Sequence, residues 1–208
     1  NEASIKAKQK LNSFLNDTDY CEFKVIRNVI DKLPENSIFH VANSMVVRYS
    51  NLIGLEKCKN IEVFANRGTS GIDGSTSTAI GAAFASEKQT IFITGDLSFF
   101  YDSNGLWNKN IPKNFRIILI NNSGGGIFKI IPGPKSTNVL DYFETPHCLT
   151  AEHLAKMFEF EYLKAFSTET VQESLISFYD STEKPKILEI FTPEKINDIV
   201  LLDYFKKL

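Results

Sequence analysis

Two polar dipeptides stand at the ends of two short apolar runs near the middle of the chain. Gly95-Asp96 follows the run TIFIT at 90–94, and Asn121-Asn122 follows the run RIILI at 116–120. A turn of glycines, 124–126, comes shortly afterwards. A carboxylate and an amide oxygen are hard ligands that suit Mg²⁺, and a glycine backbone lets phosphate groups approach closely. Together they are typical of a site that binds Mg²⁺ and phosphate. An ordinary strand–helix–strand unit with polar strand ends is the alternative that these residues leave open.

The two apolar runs must lie side by side for their polar ends to meet. Both are short and almost wholly apolar, which is typical of strands buried on both faces of a parallel sheet. Between them, residues 102–110 are predicted to form the crossover helix of a βαβ unit. Asp96 and Asn122 would then lie at the carboxyl ends of neighbouring strands, where open α/β sheets bind their ligands.

The rest of the chain continues this alternation of apolar runs and helical patterns. Strands are predicted at 37–42, 61–65, 90–94, 116–120, 161–165 and 186–191. The alternation predicts a doubly wound parallel α/β sheet with helices on both faces. We interpret residues 1–34 as a helical arm or linker and residues 35–208 as the domain itself. Residues 127–147 show little regular pattern and are predicted to form a functional loop or lid.

Composition excludes several classes of protein. The chain has 208 residues, of which 43% are apolar and 23% charged, as in globular proteins. Its net charge of −2 is unlike the basic excess of nucleic-acid-binding proteins. No apolar run approaches the roughly 20 residues of a membrane helix. Cys21, Cys58 and Cys148 are scattered and form no C-x-x-C motif, so neither a disulfide framework nor a zinc ribbon is predicted. We expect a cytoplasmic protein that binds no nucleic acid and inserts into no membrane.

Three stretches together resemble a known family. Gly95-Asp96 and Asn121-Asn122 resemble the GDG…NN signature of thiamine-diphosphate enzymes, with Leu97 in place of the third glycine. The segments NRGTSGIDG at 66–74 and NSGGGIF at 122–128 narrow the resemblance to one family of these enzymes. They are similar to the family of 2-succinyl-5-enolpyruvyl-6-hydroxy-3-cyclohexene-1-carboxylate synthases, which are thiamine-dependent transferases of menaquinone biosynthesis. The resemblance runs from about Asn43 to the C-terminus and implies the C-terminal, diphosphate-binding region of such an enzyme.

This resemblance implies a cofactor and the residues that hold it. Thiamine diphosphate would bind together with Mg²⁺, or with Mn²⁺ as an alternative. The metal would be bound by Asp96, by the Asn122 side chain and by the Gly124 carbonyl. Ile72 would be the bulky wedge that keeps the two rings of the cofactor bent towards each other. Further cofactor contacts are implied for Ser44, Arg67, Leu97, Ser98, Gly125, Gly126, Ile127 and Phe128.

The resemblance also implies a reaction, in which 2-oxoglutarate is decarboxylated and its succinyl unit is added to isochorismate. Both substrates are dicarboxylates, and arginine pairs with carboxylates through two parallel hydrogen bonds. Arg48 and Arg67 are predicted to lie on strand-to-helix connections at the ligand end, with simple solvent exposure as the alternative for each. Asn43 and Ser44 resemble the family's Asn-Ser pair at the substrate. Ile127 and Phe128 would wall the substrate pocket.

The family resemblance implies that the chain is incomplete as a catalyst. In these enzymes the activating glutamate comes from an N-terminal pyrimidine-binding domain, which packs on this region from a partner subunit. No residue of the chain is predicted to take that role, so the isolated chain is expected to be inactive. A homo-oligomer, either dimer or tetramer, is implied. Two alternatives stay open: another thiamine-dependent 2-oxo acid decarboxylase or synthase, and a non-catalytic Mg²⁺- and phosphate-binding α/β module.

Overall fold

The computed structural model describes residues 2–55 and 60–207, and Cys58 lies outside the described residues. In these residues, six strands form one sheet: β1 (Ile38–Val41), β2 (Glu62–Phe64), β3 (Thr90–Gly95), β4 (Phe115–Asn121), β5 (Glu161–Ala165) and β6 (Lys186–Phe191). Their order across the sheet is β2-β1-β3-β4-β6-β5, and all neighbouring pairs are parallel. The predicted doubly wound parallel fold is confirmed.

Helices cover both faces of this sheet. They are α1 (Glu2–Asp17), α2 (Glu22–Asp31), α3 (Met45–Ile53), α4 (Ser75–Phe84), α5 (Asp96–Tyr101), α6 (Leu140–Glu144), α7 (Glu152–Met157), α8 (Thr168–Phe178) and α9 (Asn197–Lys207). Helices α1, α2, α3, α8 and α9 contribute to one apolar core, and α4, α5 and α7 contribute to a second core. None of the helices within 2–55 and 60–207 is long and apolar enough to cross a membrane.

The central strands separate these two cores. In β4, Ile118 and Ile120 belong to the first core, while Ile117 and Leu119 belong to the second. Successive side chains of a strand point to opposite faces, so a strand covered on both sides must be apolar at every position. This burial explains the unbroken apolar runs from which the central strands were predicted.

The N-terminal helices are part of the first core. Helix α2 buries Phe23, Val25 and Ile26 there, although the sequence assigned this region to an arm. Residues 17–19 have side chains that suit a helix N-cap, but α2 does not begin there. The helix begins at Glu22 instead, and the Glu22 backbone N–H donates to Asn197 Oδ1 at 2.9 Å. A side chain distant in the sequence therefore accepts a hydrogen bond from a backbone N–H in the first turn of α2.

The helix between β3 and β4 begins earlier than predicted. Helix α5 starts at Asp96, directly after the strand, and residues 103–107 form only a short 3₁₀ turn. The predicted crossover helix at 102–110 is therefore wrong. Asp102 ends α5, and its carboxylate accepts hydrogen bonds from the Ser77 backbone N–H at 2.7 Å and from Ser77 Oγ at 2.8 Å. Asp102 thus caps the start of α4 rather than opening a helix of its own.

The segment predicted as an irregular loop, 127–147, contains short helical pieces. It includes α6 and the 3₁₀ turns Gly126–Lys129 and Pro134–Ser136. Pieces of this length are too short to give a periodic sequence pattern, which is why the sequence did not predict them. The segment returns to the glycine turn, because the Gly125 N–H donates to the Glu144 carbonyl at 2.7 Å and the His147 N–H donates to the Ser123 carbonyl at 3.2 Å.

Arg116 in β4 is fully buried and ties the sheet to the end of α8. Its guanidinium donates to the backbone carbonyls of Lys113, Phe115, Phe178 and Asp180 at 2.6–3.0 Å. Hydrogen bonds from charged donors contribute about 1.5–3 kcal/mol each, and a buried carbonyl left without a donor is costly. We expect Arg116→Met to lower the free energy of unfolding by at least about 3 kcal/mol, measured by chemical denaturation.

Lys186 provides the matched control for this prediction. It lies opposite Arg116 on β6 and is also buried, but its ammonium donates to one carbonyl, that of Ser177, at 2.9 Å and lies 3.7 Å from Glu161 Oε2. Lys186→Met should therefore cost clearly less. Equal losses in the two variants would show that the carbonyl cluster around Arg116 is not what stabilises this end of the sheet.

Candidate functional site

A cavity opens at the carboxyl ends of β1, β3 and β4, where doubly wound sheets bind ligands. The residues that the sequence proposed for cofactor and substrate line it together, apart from Arg48 and Arg67. A wider groove between α1 and α9 is lined by none of these predicted residues. The site residues predicted from the sequence therefore lie in one cavity, apart from the two arginines.

Asp96 lies at the floor of this cavity and is 3% exposed. Its Oδ1 accepts from the Leu97 N–H at 2.7 Å. Its Oδ2 accepts from the N–H groups of Asn122 at 3.1 Å and Gly124 at 3.0 Å. The carboxylate at the end of β3 therefore fixes the turn that follows β4.

The Asn122 side chain meets Asp96 at the same point. Asn122 Oδ1 accepts from the Gly124 N–H at 3.1 Å, and this is the N–H that also donates to Asp96 Oδ2. A carboxylate oxygen and an amide oxygen thus converge on one side of the cavity. Hard oxygen donors in small number are the set that Mg²⁺ uses when phosphate oxygens and water complete its shell. The residues present fit such a cation.

The glycines of the turn are closely packed. A Cβ added at Gly124 would lie 2.8 Å from the Glu144 carbonyl oxygen, and one at Gly125 would lie 3.0 Å from Phe128 Cδ2. A Cβ at Gly126 would lie 3.1 Å from Asn122 Nδ2. Side chains here would push against the Asn122 amide and against the returning 127–147 segment. The bare backbone allows a ligand to approach the turn closely.

The 66–74 loop is held against the cavity by polar side chains. Asn43 Nδ2 donates to the carbonyls of Asn66 at 3.0 Å and Gly71 at 2.7 Å. Ser98 Oγ donates to the Ile72 carbonyl at 2.7 Å. These contacts place Ile72 in the cavity wall. Asn43 and Ser98 use their polar atoms to position the loop, and their direct contacts to ligands stay predictions.

The two arginines lie outside the cavity lining. Arg67 is exposed, and its Nη1 donates to Asn43 Oδ1 at 2.8 Å. Arg48 Nη1 donates to the Ser44 carbonyl at 2.8 Å, and its side chain lines an apolar groove that shares Met45 and Ile127 with the cavity. Each arginine is therefore hydrogen-bonded to a residue of the cavity lining: Arg67 to Asn43, and Arg48 to Ser44.

Ser44 itself has an unusual backbone. Its φ of 70° and ψ of −133° lie in a region that non-glycine residues rarely adopt. The residue joins β1 to α3 at the edge of the cavity. Such strain persists only where the surrounding structure enforces it, and it concentrates at functional sites.

Comparison with known proteins identifies the family of the chain. No family model matches the chain. It is 55% identical over 205 residues, 98% of its length, to the 2-succinyl-5-enolpyruvyl-6-hydroxy-3-cyclohexene-1-carboxylate synthase of Flavobacterium johnsoniae. It is 39% identical over 204 residues to the synthase of Porphyromonas gingivalis. The chain belongs to this synthase family. It spans about a third of its curated relatives, 36% of the first and 35% of the second.

A solved structure shows the same fold at low identity. Benzoylformate decarboxylase from Polynucleobacter necessarius superposes with a TM-score of 0.69 and 13% identity. The match covers 84% of the chain and 33% of that enzyme. The sheet and its helices are thus shared with a decarboxylase, while the specific similarity in sequence is to the synthase family.

Glu22 is a site residue that could not be predicted from the sequence. It reaches the cavity from α2, is 4% exposed, and its Oε1 accepts a hydrogen bond from Asn122 Nδ2. Burial raises the pKa of the Glu22 carboxyl to about 8, and the Asp96 carboxylate adds to this rise. The Asn122 hydrogen bond and the Lys129 ammonium oppose the rise. No local motif marks Glu22, because its partner is 100 residues away in the sequence.

His147 is a second residue whose place could not be predicted. Its Nε2 lies 3.3 Å from Asp96 Oδ2, and its Nδ1 accepts from the Leu149 N–H at 3.1 Å. The sequence offered no metal-ligand spacing around this histidine. The 127–147 segment therefore ends with an imidazole beside the Asp96 carboxylate.

The two asparagines of the dipeptide have different roles. Asn122 faces the cavity, whereas the Asn121 amide donates to Glu189 Oε1 at 2.7 Å and to the Leu149 carbonyl at 3.0 Å. Glu189 is fully buried, and its Oε2 accepts from Thr150 Oγ1, the Ala151 N–H and the Tyr162 hydroxyl at 2.6–3.0 Å. This network fixes the chain that follows His147 against β4 and β6.

Proposed function

We propose that the chain is the diphosphate- and Mg²⁺-binding, C-terminal region of a thiamine-diphosphate-dependent synthase. The complete enzyme would decarboxylate 2-oxoglutarate and add the succinyl unit to isochorismate in menaquinone biosynthesis. The observation that carries the proposal is the convergence of Asp96 Oδ2 and Asn122 Oδ1 on one N–H at the ends of two neighbouring parallel strands. The 55% identity to a named synthase supports the choice of reaction.

Asp96, the Asn122 amide oxygen and the Gly124 carbonyl would hold Mg²⁺ or Mn²⁺, and the metal would hold the diphosphate. Leu97, Gly125 and Gly126 line the same cavity and would lie beside the phosphate oxygens. Thiamine diphosphate, when bound, supplies the electron sink that decarboxylation requires.

Part of the remaining cavity lining is apolar. Met45, Ile72, Ile127 and Phe128 line it, and the Phe128 ring packs against Phe143 at a centroid distance of 5.3 Å. We propose that Ile72 supports the bent cofactor and that Ile127 and Phe128 face the substrates. An apolar wall lowers the local dielectric constant, which strengthens the electrostatic contacts made on the polar floor.

The proposed partner of this region is the pyrimidine-binding domain of the same enzyme, within a cytoplasmic homo-oligomer. The chain spans about a third of the length of its relatives, which supports a further domain in the same enzyme. Helices α4 and α5 and the 103–107 turn pack on one another. Their large side chains Phe84, Tyr101 and Trp107 are 66–73% exposed. Exposed apolar side chains on adjoining elements are typical of surfaces that another domain covers.

The full-length protein tests the proposal directly. With Mg²⁺, thiamine diphosphate, 2-oxoglutarate and isochorismate, we expect release of CO₂ and formation of the synthase product. Decarboxylation without addition to isochorismate would favour another thiamine-dependent decarboxylase or synthase. Failure to bind thiamine diphosphate would leave a non-catalytic module.

The arginines give a prediction about substrate recognition. In the full-length enzyme, Arg48→Ala or Arg67→Ala should raise KM for a dicarboxylate substrate, and Arg48→Ala should leave cofactor affinity near normal. Loss of a charge-assisted hydrogen bond of about 1.5–3 kcal/mol corresponds to a rise of roughly tenfold or more. Arg27→Ala is the control, because Arg27 pairs with Asp31 on α2 at 3.1 Å and lines no part of the cavity. If both variants behave like Arg27→Ala for both substrates, the two arginines are surface residues.

A further inference from the structure

Glu22 has a buried carboxyl that lines the cavity, although the residue belongs to none of the sequence motifs described above. It belongs to the first turn of α2, and its backbone N–H is held by Asn197 Oδ1 at 2.9 Å. Its side chain is 4% exposed and accepts a hydrogen bond from Asn122 Nδ2. Burying a carboxyl costs free energy that an apolar residue at the same place would not cost. The arrangement therefore calls for a role beyond packing.

The hydrogen bonds around Asn122 decide which way round its amide lies. The two ends of an amide are similar in shape, so its orientation follows from its partners. Glu22 accepts from Nδ2 on one side, and the Gly124 N–H donates to Oδ1 on the other. Turning the amide over would set an oxygen against Glu22 Oε1, which accepts a hydrogen bond here, and an NH₂ group against the Gly124 N–H. With Glu22 in place, the amide oxygen stays on the Asp96 side.

This orientation matters because only the oxygen end of the amide can bind a cation. An NH₂ group on the Asp96 side would repel Mg²⁺ and remove one of its ligands. Donation from Nδ2 to a carboxyl also increases the electron density on the amide oxygen, as partners of metal-binding side chains do for other ligands. Glu22 would thus both orient and strengthen the ligand.

We propose that Glu22 is a positioning residue for the cation site, which holds the Asn122 amide with its oxygen facing the cation. This inference rests on the proposed function, since it requires a cation between Asp96 and Asn122. Glu22 itself contacts neither the cation nor the reacting atoms in this account. It acts through Asn122, which gives it a distinct experimental signature.

The test is calorimetric titration of Mg²⁺ into the full-length protein with thiamine diphosphate present. Removing the partner of a metal ligand typically raises Kd for the metal about 10–100-fold. We expect a rise in this range for Glu22→Ala. Glu22→Gln keeps the size of the side chain but can donate as well as accept, so it should give a smaller rise. The Gln variant also guards against misfolding in the Ala variant.

Two further variants separate positioning from general support of the fold. Asn197→Ala removes the partner of the Glu22 backbone without touching Asn122, so Kd for Mg²⁺ should stay near that of the unmodified protein. In the Asn122→Ala background, Glu22→Ala should cause no additional loss, because the amide that it orients is already gone. A loss in Asn197→Ala equal to that in Glu22→Ala, or an additional loss in the double variant, would overturn the inference.

The unmodified protein distinguishes this inference from the proposed function. If it binds Mg²⁺ and both Glu22 variants bind with unchanged Kd, the positioning role is wrong while the proposed function stands. If the unmodified protein binds no Mg²⁺ with thiamine diphosphate present, the proposed function is wrong and the inference is overturned with it.

Discussion

Replacing Asp96 with alanine should abolish Mg²⁺-dependent binding of thiamine diphosphate to the full-length enzyme. Asp96 is the carboxylate on the cavity floor, and the Asn122 amide oxygen beside it carries no charge of its own. Its oxygens also accept from the N–H groups of Leu97, Asn122 and Gly124, so the turn that carries the other proposed ligands would lose its anchor. The measurement is calorimetric titration of thiamine diphosphate with and without Mg²⁺.

Asp102→Asn is the matched control for Asp96→Ala. Asp102 is also a buried carboxylate, at the other end of α5, but it caps α4 through Ser77 and does not line the cavity. The control should lower the melting temperature and leave cofactor affinity unchanged. Retained affinity in Asp96→Ala would contradict the assignment of the cation site. So would an equal loss of affinity in both variants.

The 208-residue chain on its own should show no turnover of 2-oxoglutarate, even with Mg²⁺ and thiamine diphosphate. The residues that line the cavity serve the proposed diphosphate, ring-wedge and substrate contacts, and the activating glutamate is proposed to come from the pyrimidine-binding domain. Without that domain much of the cofactor would lie in water, so its affinity should fall well below that of the complete enzyme. The exposed side chains of Phe84, Tyr101 and Trp107 should also promote self-association.

A complementation assay checks this expectation. CO₂ release is measured for the chain alone and after addition of the pyrimidine-binding domain as a separate polypeptide. We expect turnover only in the mixture, and none in a mixture made with the Asp96→Ala chain. Turnover by the chain alone would mean that an activating base lies within it. Self-association is followed by sedimentation.

Much of the fold could be predicted because its strands are short, apolar and clearly bounded. The predicted limits of β5 and β6 agree with the structure, and Pro185 marks the start of β6. The start of α5 could not be predicted. Asp102 is a residue type that often begins a helix, so the helix was predicted to start there. In the structure its carboxylate is used by α4, which lies elsewhere in the chain. Local patterns give the type of an element more reliably than the residue at which it begins.

The candidate site was predictable to the extent that it lies within local motifs. Asp96 and Asn122 could be placed together because strand ends of a parallel sheet share one edge. Ile72 was placed with them by the family resemblance alone. Glu22 and His147 could not be placed, because their contacts to Asn122 and Asp96 depend on how α2 and the 127–147 segment pack. The arginines show the opposite limit: their residue type suits carboxylates, but the structure sets their side chains at the border of the cavity.

The most direct test of the account is the dependence of thiamine diphosphate binding on Mg²⁺ in the unmodified full-length protein. We predict saturable binding in the presence of Mg²⁺, and loss of that binding when a chelator removes the metal. Restoration by added Mg²⁺ or Mn²⁺ should follow, since hard oxygen ligands suit both ions. Binding that is equally strong in the presence of the chelator, or absent with Mg²⁺ in excess, would contradict the assignment of the cavity at Asp96 and Asn122.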